Sequence, residues 1–106
     1  MTIHKGEQYY IAFEVKVDED TATPENVDRV RIKVGNYLCQ YPNGELIYDS
    51  SGEQWLYPLS EEESFGMYAG KRMAEVAVMI GEDIFKSDIF YVDVMNSIIT
   101  ERWTDE

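Results

Sequence analysis

Three consecutive carboxylates, Glu61, Glu62 and Glu63, form one of the two densest acidic runs of this chain, beside Asp18-Glu19-Asp20. Carboxylates so spaced can ligate a hard cation, serve as an acid pair, or open a helix. The flanking residues favour the helix. Ser60-Glu61-Glu62-Glu63 matches a capping box, in which the Ser60 hydroxyl accepts the N–H three residues on and Glu63 reaches back to the N–H of Ser60. Carboxylates in the first turn add about 0.3–1 kcal/mol each through the helix dipole. Gly66 stands where a helix of one or two turns stops. Successive helical positions point in different directions, so the three side chains do not converge on one ion. Ser60→Ala is expected to cost about 1 kcal/mol, read as a lowered melting temperature.

The other reactive residue types are sparse. His4 is the sole histidine and Cys39 the sole cysteine. A Cys–His nucleophile needs the fold to join them, and the simpler reading is a surface histidine and a small strand residue. No second cysteine or histidine exists to build a zinc site. Asp18, Glu19, Asp20, Glu25, Asn26 and Asp28 offer oxygens for calcium, but their spacing departs from the EF-hand loop, which leaves a solvated acidic loop. With 21 acids, some pair falls at glycosidase spacing by chance. No G-x-S-x-G, P-loop or dinucleotide fingerprint occurs. The sequence thus assigns no catalytic, cofactor-binding or metal-ligating residue, and the expectation is a protein that is not an enzyme and carries no cofactor.

These residues are set in a chain of 106, which suits one domain, with an ordered core over about 5–99 and a C-terminal tail, 100–106, whose last few residues fray. Net charge is −12, from nine Lys+Arg against 21 Asp+Glu. That balance disfavours nucleic acid, because no basic patch displaces counterions. It favours solubility. The single cysteine forms no internal disulfide, as expected of a chain made in a reducing cytosol. MTIHKGEQYY lacks the apolar stretch of a secretory signal. No apolar run approaches the roughly 20 residues that span a bilayer.

Period-two alternation marks the elements that must hold these residues. In YYIAFEVKV (9–17), Ile11, Phe13, Val15 and Val17 take one face and Ala12, Glu14 and Lys16 the other. DEDTATPEN follows as a loop. In RVRIKV (29–34), Val30, Ile32 and Val34 face in, while Arg29, Arg31 and Lys33 face out toward an acidic neighbour. YLCQY, ELIYD and EQWLYPL read as further strands, with Pro42-Asn43-Gly44 as a tight hairpin turn and Ser50-Ser51-Gly52 as a second turn. Trp55, Tyr57 and Leu59 share a face, and Pro58 points to an edge position or the end of pairing. RMAEVAVMI places Ala74, Val76, Val78 and Ile80 together. Gly81-Glu82-Asp83 turns the chain into one long strand, IFKSDIFYVDVM, with Phe90, Val92 and Val94 on one side and Ile89 and Tyr91 on the other.

About seven strands with close turn signals and one helical turn near 60–66 give an all-β fold, an immunoglobulin-like β-sandwich. Val76→Asp is then expected to unfold it. Aromatics make 13% of the chain, more than a core this small needs, so some tyrosines reach the surface, where they favour protein or sugar contacts.

The order of these pieces is similar to a family of bacteriophage structural domains, the Ig-like modules of tail and baseplate proteins. It includes the N-terminal domain type of upper-baseplate proteins from phages of Gram-positive hosts. KGEQYYIAFEVKVDED resembles the family's opening strand and VDRVRIKVGN its second. GELIYDSSGEQWLYPLSEEES resembles the hairpin, strand and short acidic helix of its middle. RMAEVAVMIGEDIFKSDIFYVDVMNSI resembles its closing hairpin. The likeness spans about residues 5–99, and the long oligomerising and receptor-facing regions of baseplate proteins have no counterpart. It implies a non-enzymatic virion protein, made in the bacterial cytoplasm, that acts by contacts with other phage structural proteins or with itself, and with neither nucleic acid nor membrane. Two rival readings stand beside it. One is a carbohydrate-binding module stacking sugars on Trp55, Trp103 and tyrosines. The other is an acidic inhibitor that docks a basic host protein, which needs acids concentrated on one face, whereas alternation spreads them over both outer faces.

Overall fold

The computed structural model describes residues 1–103. Its strands are β1 (Thr2–His4), β2 (Tyr9–Phe13), β3 (Lys16–Val17), β4 (Asp20–Thr21), β5 (Arg29–Val34), β6 (Tyr37–Tyr41), β7 (Ile47–Asp49), β8 (Gln54–Leu59), β9 (Gly70–Ile80), β10 (Asp83–Lys86) and β11 (Phe90–Met95). One helix, α1 (Glu61–Gly66), joins β8 to β9. The fold is all-β with a single short helix. One sheet runs β1-β11-β9-β5-β6, with β10 also on β9; a second runs β2-β8-β7; β3 and β4 form a separate ribbon.

Alternation places the core where the sequence puts it. Val30, Ile32 and Val34 of β5, Val92 and Val94 of β11, and Ala74, Val76 and Val78 of β9 join Ile11 and Phe13 of β2 and Trp55, Tyr57 and Leu59 of β8 in one buried cluster. Trp55 is fully buried. Its indole N–H donates to the Ala22 carbonyl at 2.8 Å, and the Tyr41 and Tyr48 rings each lie 5.1 Å from it.

Eleven strands replace the expected seven. β1 is too short to show a period, yet it pairs in parallel with β11 and buries Ile3, so ordered structure begins before residue 5. The 9–17 strand divides because its partner β8 starts at Gln54, one residue past the Phe13–Trp55 pair. Beyond it, Lys16–Val17 folds back on Asp20–Thr21, so the expected loop contains a hairpin. Its two-residue turn has positive φ at Asp18 (50°) and Glu19 (73°), the geometry usually marked by Asn-Gly.

The long 84–95 strand is also two. Lys86 pairs with Ala77 and Phe90 with Ala74, so Ser87, Asp88 and Ile89 oppose only Glu75 and Val76. This is a bulge of one extra residue. Ser87 holds it: its N–H donates to the Val76 carbonyl at 2.9 Å and its hydroxyl accepts the Val76 N–H at 3.0 Å. The extra residue brings Phe85 and Phe90, an odd number of positions apart, to the same side of the sheet.

Pro42-Asn43-Gly44 is not a hairpin. β6 pairs with β5 and β7 with β8, so these residues carry the chain from one sheet to the other. Gly44 is required for close approach instead, since a Cβ there would meet the backbone oxygen of Gln40. Pro58 lies in a central strand; pairing with β7 ends at Leu56, while pairing with β2 continues to Leu59. Of the three β5 cations, only Lys33 has an acidic cross-strand neighbour, Glu75.

Candidate interaction surface

The three glutamates diverge. Ser60 caps α1, its hydroxyl accepting the Glu63 N–H at 3.0 Å and donating to the Glu63 carboxylate at 3.2 Å. Glu63 therefore reaches the Ser60 hydroxyl, not its N–H, and also accepts from the Tyr57 hydroxyl at 3.2 Å. Burial, then the charge and hydrogen bond of Glu63, push the Tyr57 phenol well above its ordinary pKa. Glu62 is exposed. Glu61 is buried: it accepts the Trp103 N–H at 3.0 Å and lies 3.5 Å from the Arg102 guanidinium. The C-terminal segment through Trp103 is thus tied to α1; the fraying expected at the very end concerns 104–106, outside the described residues. Local sequence signals the cap, but only the returning chain explains the burial of Glu61.

His4 and Cys39 lie on opposite edge strands, β1 and β6, with β11, β9 and β5 between them. Four strand spacings of about 4.8 Å keep them roughly 19 Å apart, so they form no nucleophile pair. Burial raises the Cys39 thiol, which further suppresses the thiolate. In the acidic loop, Asn26 accepts from the Thr23 N–H at 2.7 Å and donates to the Thr21 carbonyl at 2.9 Å. Asp28 accepts the Gly81 N–H at 2.6 Å. These oxygens fasten backbone. Among the described residues, no group of three or more His, Cys, Asp or Glu is placed to hold a metal ion.

Trp55 cannot act as a sugar platform, because its ring lies inside the core. The exposed aromatics are scattered: Tyr9 and Tyr10 on β2, Tyr68 before β9, Phe85 on β10, Tyr91 on β11, and Trp103.

What the sheet does bring together is an outer face. Residues opposite the buried ones project from four neighbouring strands: Leu38 from β6; Arg29, Arg31 and Lys33 from β5; Lys71, Met73, Glu75 and Met79 from β9; Tyr91, Asp93 and Met95 from β11. Leu38, Met73, Tyr91 and Met95 are each at least half exposed, and Ile84 of β10 extends the patch beside Met79. Met73 pairs with Tyr91 and Ile84 with Met79, while Lys33–Glu75 and Lys71–Asp93 stand between these pairs and Leu38 and Met95, so the face mixes apolar and charged groups as protein contact surfaces do. Flexible methionines adapt to varied partners. Four cations here meet two carboxylates, a local balance of +2; the chain carries −12, which leaves −14 for everything else.

The acids gather elsewhere than expected. Nine of the 21 sit in turns and loops, or on the strand residues that border them, at one end of the molecule: Asp18–Asp20, Glu25 and Asp28, Asp49 and Glu53, Glu82 and Asp83. The Asp28–Gly81 hydrogen bond joins two of these segments. Burial and the charges of Glu53, Asp49 and Glu25 together raise the Tyr48 phenol, so those carboxylates share one field. Acid is therefore concentrated in part at one end, where alternation along the strands would have spread it over both outer faces. A separate apolar groove of about 510 Å³ opens between residues 13–18 and β9–β11, lined by Phe13, Val15, Val76 and Phe85 and flanked by Lys16 and Lys86.

Comparison with known proteins yields no matching family model, no matching curated protein and no matching solved structure.

Proposed function

We propose that this chain is a non-enzymatic structural module of a bacteriophage or prophage particle, of tail or baseplate type. In this reading it is an immunoglobulin-like sandwich, made in the bacterial cytoplasm and carried in the virion. Strand order supports the fold. β2-β8-β7 follow the B-E-D order of such domains, and β11-β9-β5-β6 follow G-F-C-C′, with β1 beside the last strand. The lone Cys39 precludes the inter-sheet disulfide of antibody domains, and Trp55 stands on the E-like strand, not the C-like one.

The observation that carries the function is the bare outer face of the larger sheet. A solvated sheet face is normally polar; this one exposes Leu38, Met73, Tyr91 and Met95 around a basic stripe. Burying it against a neighbouring subunit is the mechanism, with the surplus acid keeping unassembled chain soluble. Mass spectrometry of purified particles from the lysogen or infected culture tests this. The chain should be present at constant stoichiometry to the tail proteins. Recovery only in the host's soluble fraction would refute the reading.

A further inference from the structure

The basic, apolar face and the acidic end are parts of one molecule, about 44 Å in its longest extent. Each is what the other lacks. The face carries +2 amid a chain of −12, and the end bears nine carboxylates in four segments. Two copies cannot satisfy both by a twofold face-to-face dimer, since that sets Arg29, Arg31 and Lys33 against the same stripe and leaves the acidic ends unused. Like charges juxtaposed in an interface oppose association.

We propose that the face is covered by a second copy of this chain, joined head to tail, with the acidic turns of one subunit seated on the basic stripe of the next. The contact is heterologous. It therefore propagates, giving a ring where the rotation closes and a filament where it does not. Leu38, Met73 and Tyr91 supply the buried area, and the charges fix which end docks. This rests on the assembly reading above and names its partner.

Sedimentation of the full chain at its highest soluble concentration tests the proposal. The wild type should exceed monomer mass at about 0.05 M salt and fall back toward monomer at about 0.5 M, where screening shortens the range of exposed charges to a few Å. R31E/K33E, with an inverted stripe, should be monomeric at both. So should E25K/E53K, with a weakened acidic end. All four positions are exposed or in turns, and unchanged melting curves verify that the variants fold. An equimolar mixture of the two variants should give a one-to-one heterodimer and nothing larger, since the intact acidic end of R31E/K33E can seat on the intact stripe of E25K/E53K while the reciprocal contact sets acid against acid. A wild type that is monomeric throughout overturns the proposal. So does a mixture that stays monomeric, or an assembly that strengthens with salt. These outcomes are independent of particle composition: a chain found in particles yet monomeric alone refutes self-docking only, and a chain that polymerises yet is absent from particles refutes the virion role only.

Discussion

Trp55→Ala is expected to remove about 3–5 kcal/mol of stability, the usual range for deleting a fully buried aromatic. Marginal domains hold only about 5–15 kcal/mol in total. The site is unforgiving because three separate segments converge on the indole. Tyr41 comes from the larger sheet, Tyr48 from the smaller, and the Ala22 carbonyl from the loop between β4 and β5. The cavity left by Ala cannot collapse without moving both sheets. Trp55→Phe separates the two contributions. It keeps most of the packing but strands a buried carbonyl, so a smaller loss of about 1–3 kcal/mol is expected. Urea denaturation measures both. A Trp55→Ala midpoint within error of wild type would contradict the assignment of Trp55 as the joint between the sheets.

The second large effect concerns where a charge is least tolerable. Alternation alone nominates Val76, but the structure moves the most sensitive position to Ile32. Ile32 has no exposed surface, and its cross-strand neighbours, Cys39 and Val76, offer no cation. An aspartate there meets neither water nor a partner, and burying an unpaired charge costs more than the roughly 5–15 kcal/mol that a typical domain holds. Val76 instead lines the groove flanked by Lys16 and Lys86, so an aspartate can turn toward water and positive charge. Ile32→Asp should show no cooperative melting by near-ultraviolet circular dichroism at 25 °C. Val76→Asp should keep a transition at reduced temperature. The reverse ranking, or an Ile32→Asp variant with a wild-type melting curve, would show that the inward face of β5 is misassigned.

The contrast between these two residues indicates what sequence can reveal of such a fold. β5 was legible because RVRIKV carries its alternation within one partner-independent stretch, and Val30, Ile32 and Val34 are all buried. The capped helix was legible because Ser60 and Glu63 interact three residues apart. What escaped depends on distant pairing. Nothing in Thr2–His4 announces a strand until β11 lies beside it. Asn43-Gly44 carries the hairpin signal, yet the chain crosses between sheets there, while Asp18-Glu19 turns a hairpin without that signal. The bulge at Ser87 is invisible to a period-two reading, because the alternation resumes one position out of step after it. The candidate interaction face was half legible. The cations of β5 could be placed outward from RVRIKV alone, but their apolar neighbours Leu38, Met73 and Tyr91 join them only through the order β11-β9-β5-β6.

As a contact surface, the outer face of the larger sheet is expected to be bare in the isolated chain and covered in the assembly. Hydroxyl-radical footprinting of the methionines reads this directly. In the isolated chain at high salt, Met73 and Met95 should oxidise quickly, since both are at least half exposed, whereas Met67, buried behind α1, should resist. In intact particles Met73 and Met95 should become as protected as Met67. Oxidation of Met73 and Met95 at the same rate in particles as in the isolated chain would contradict the account.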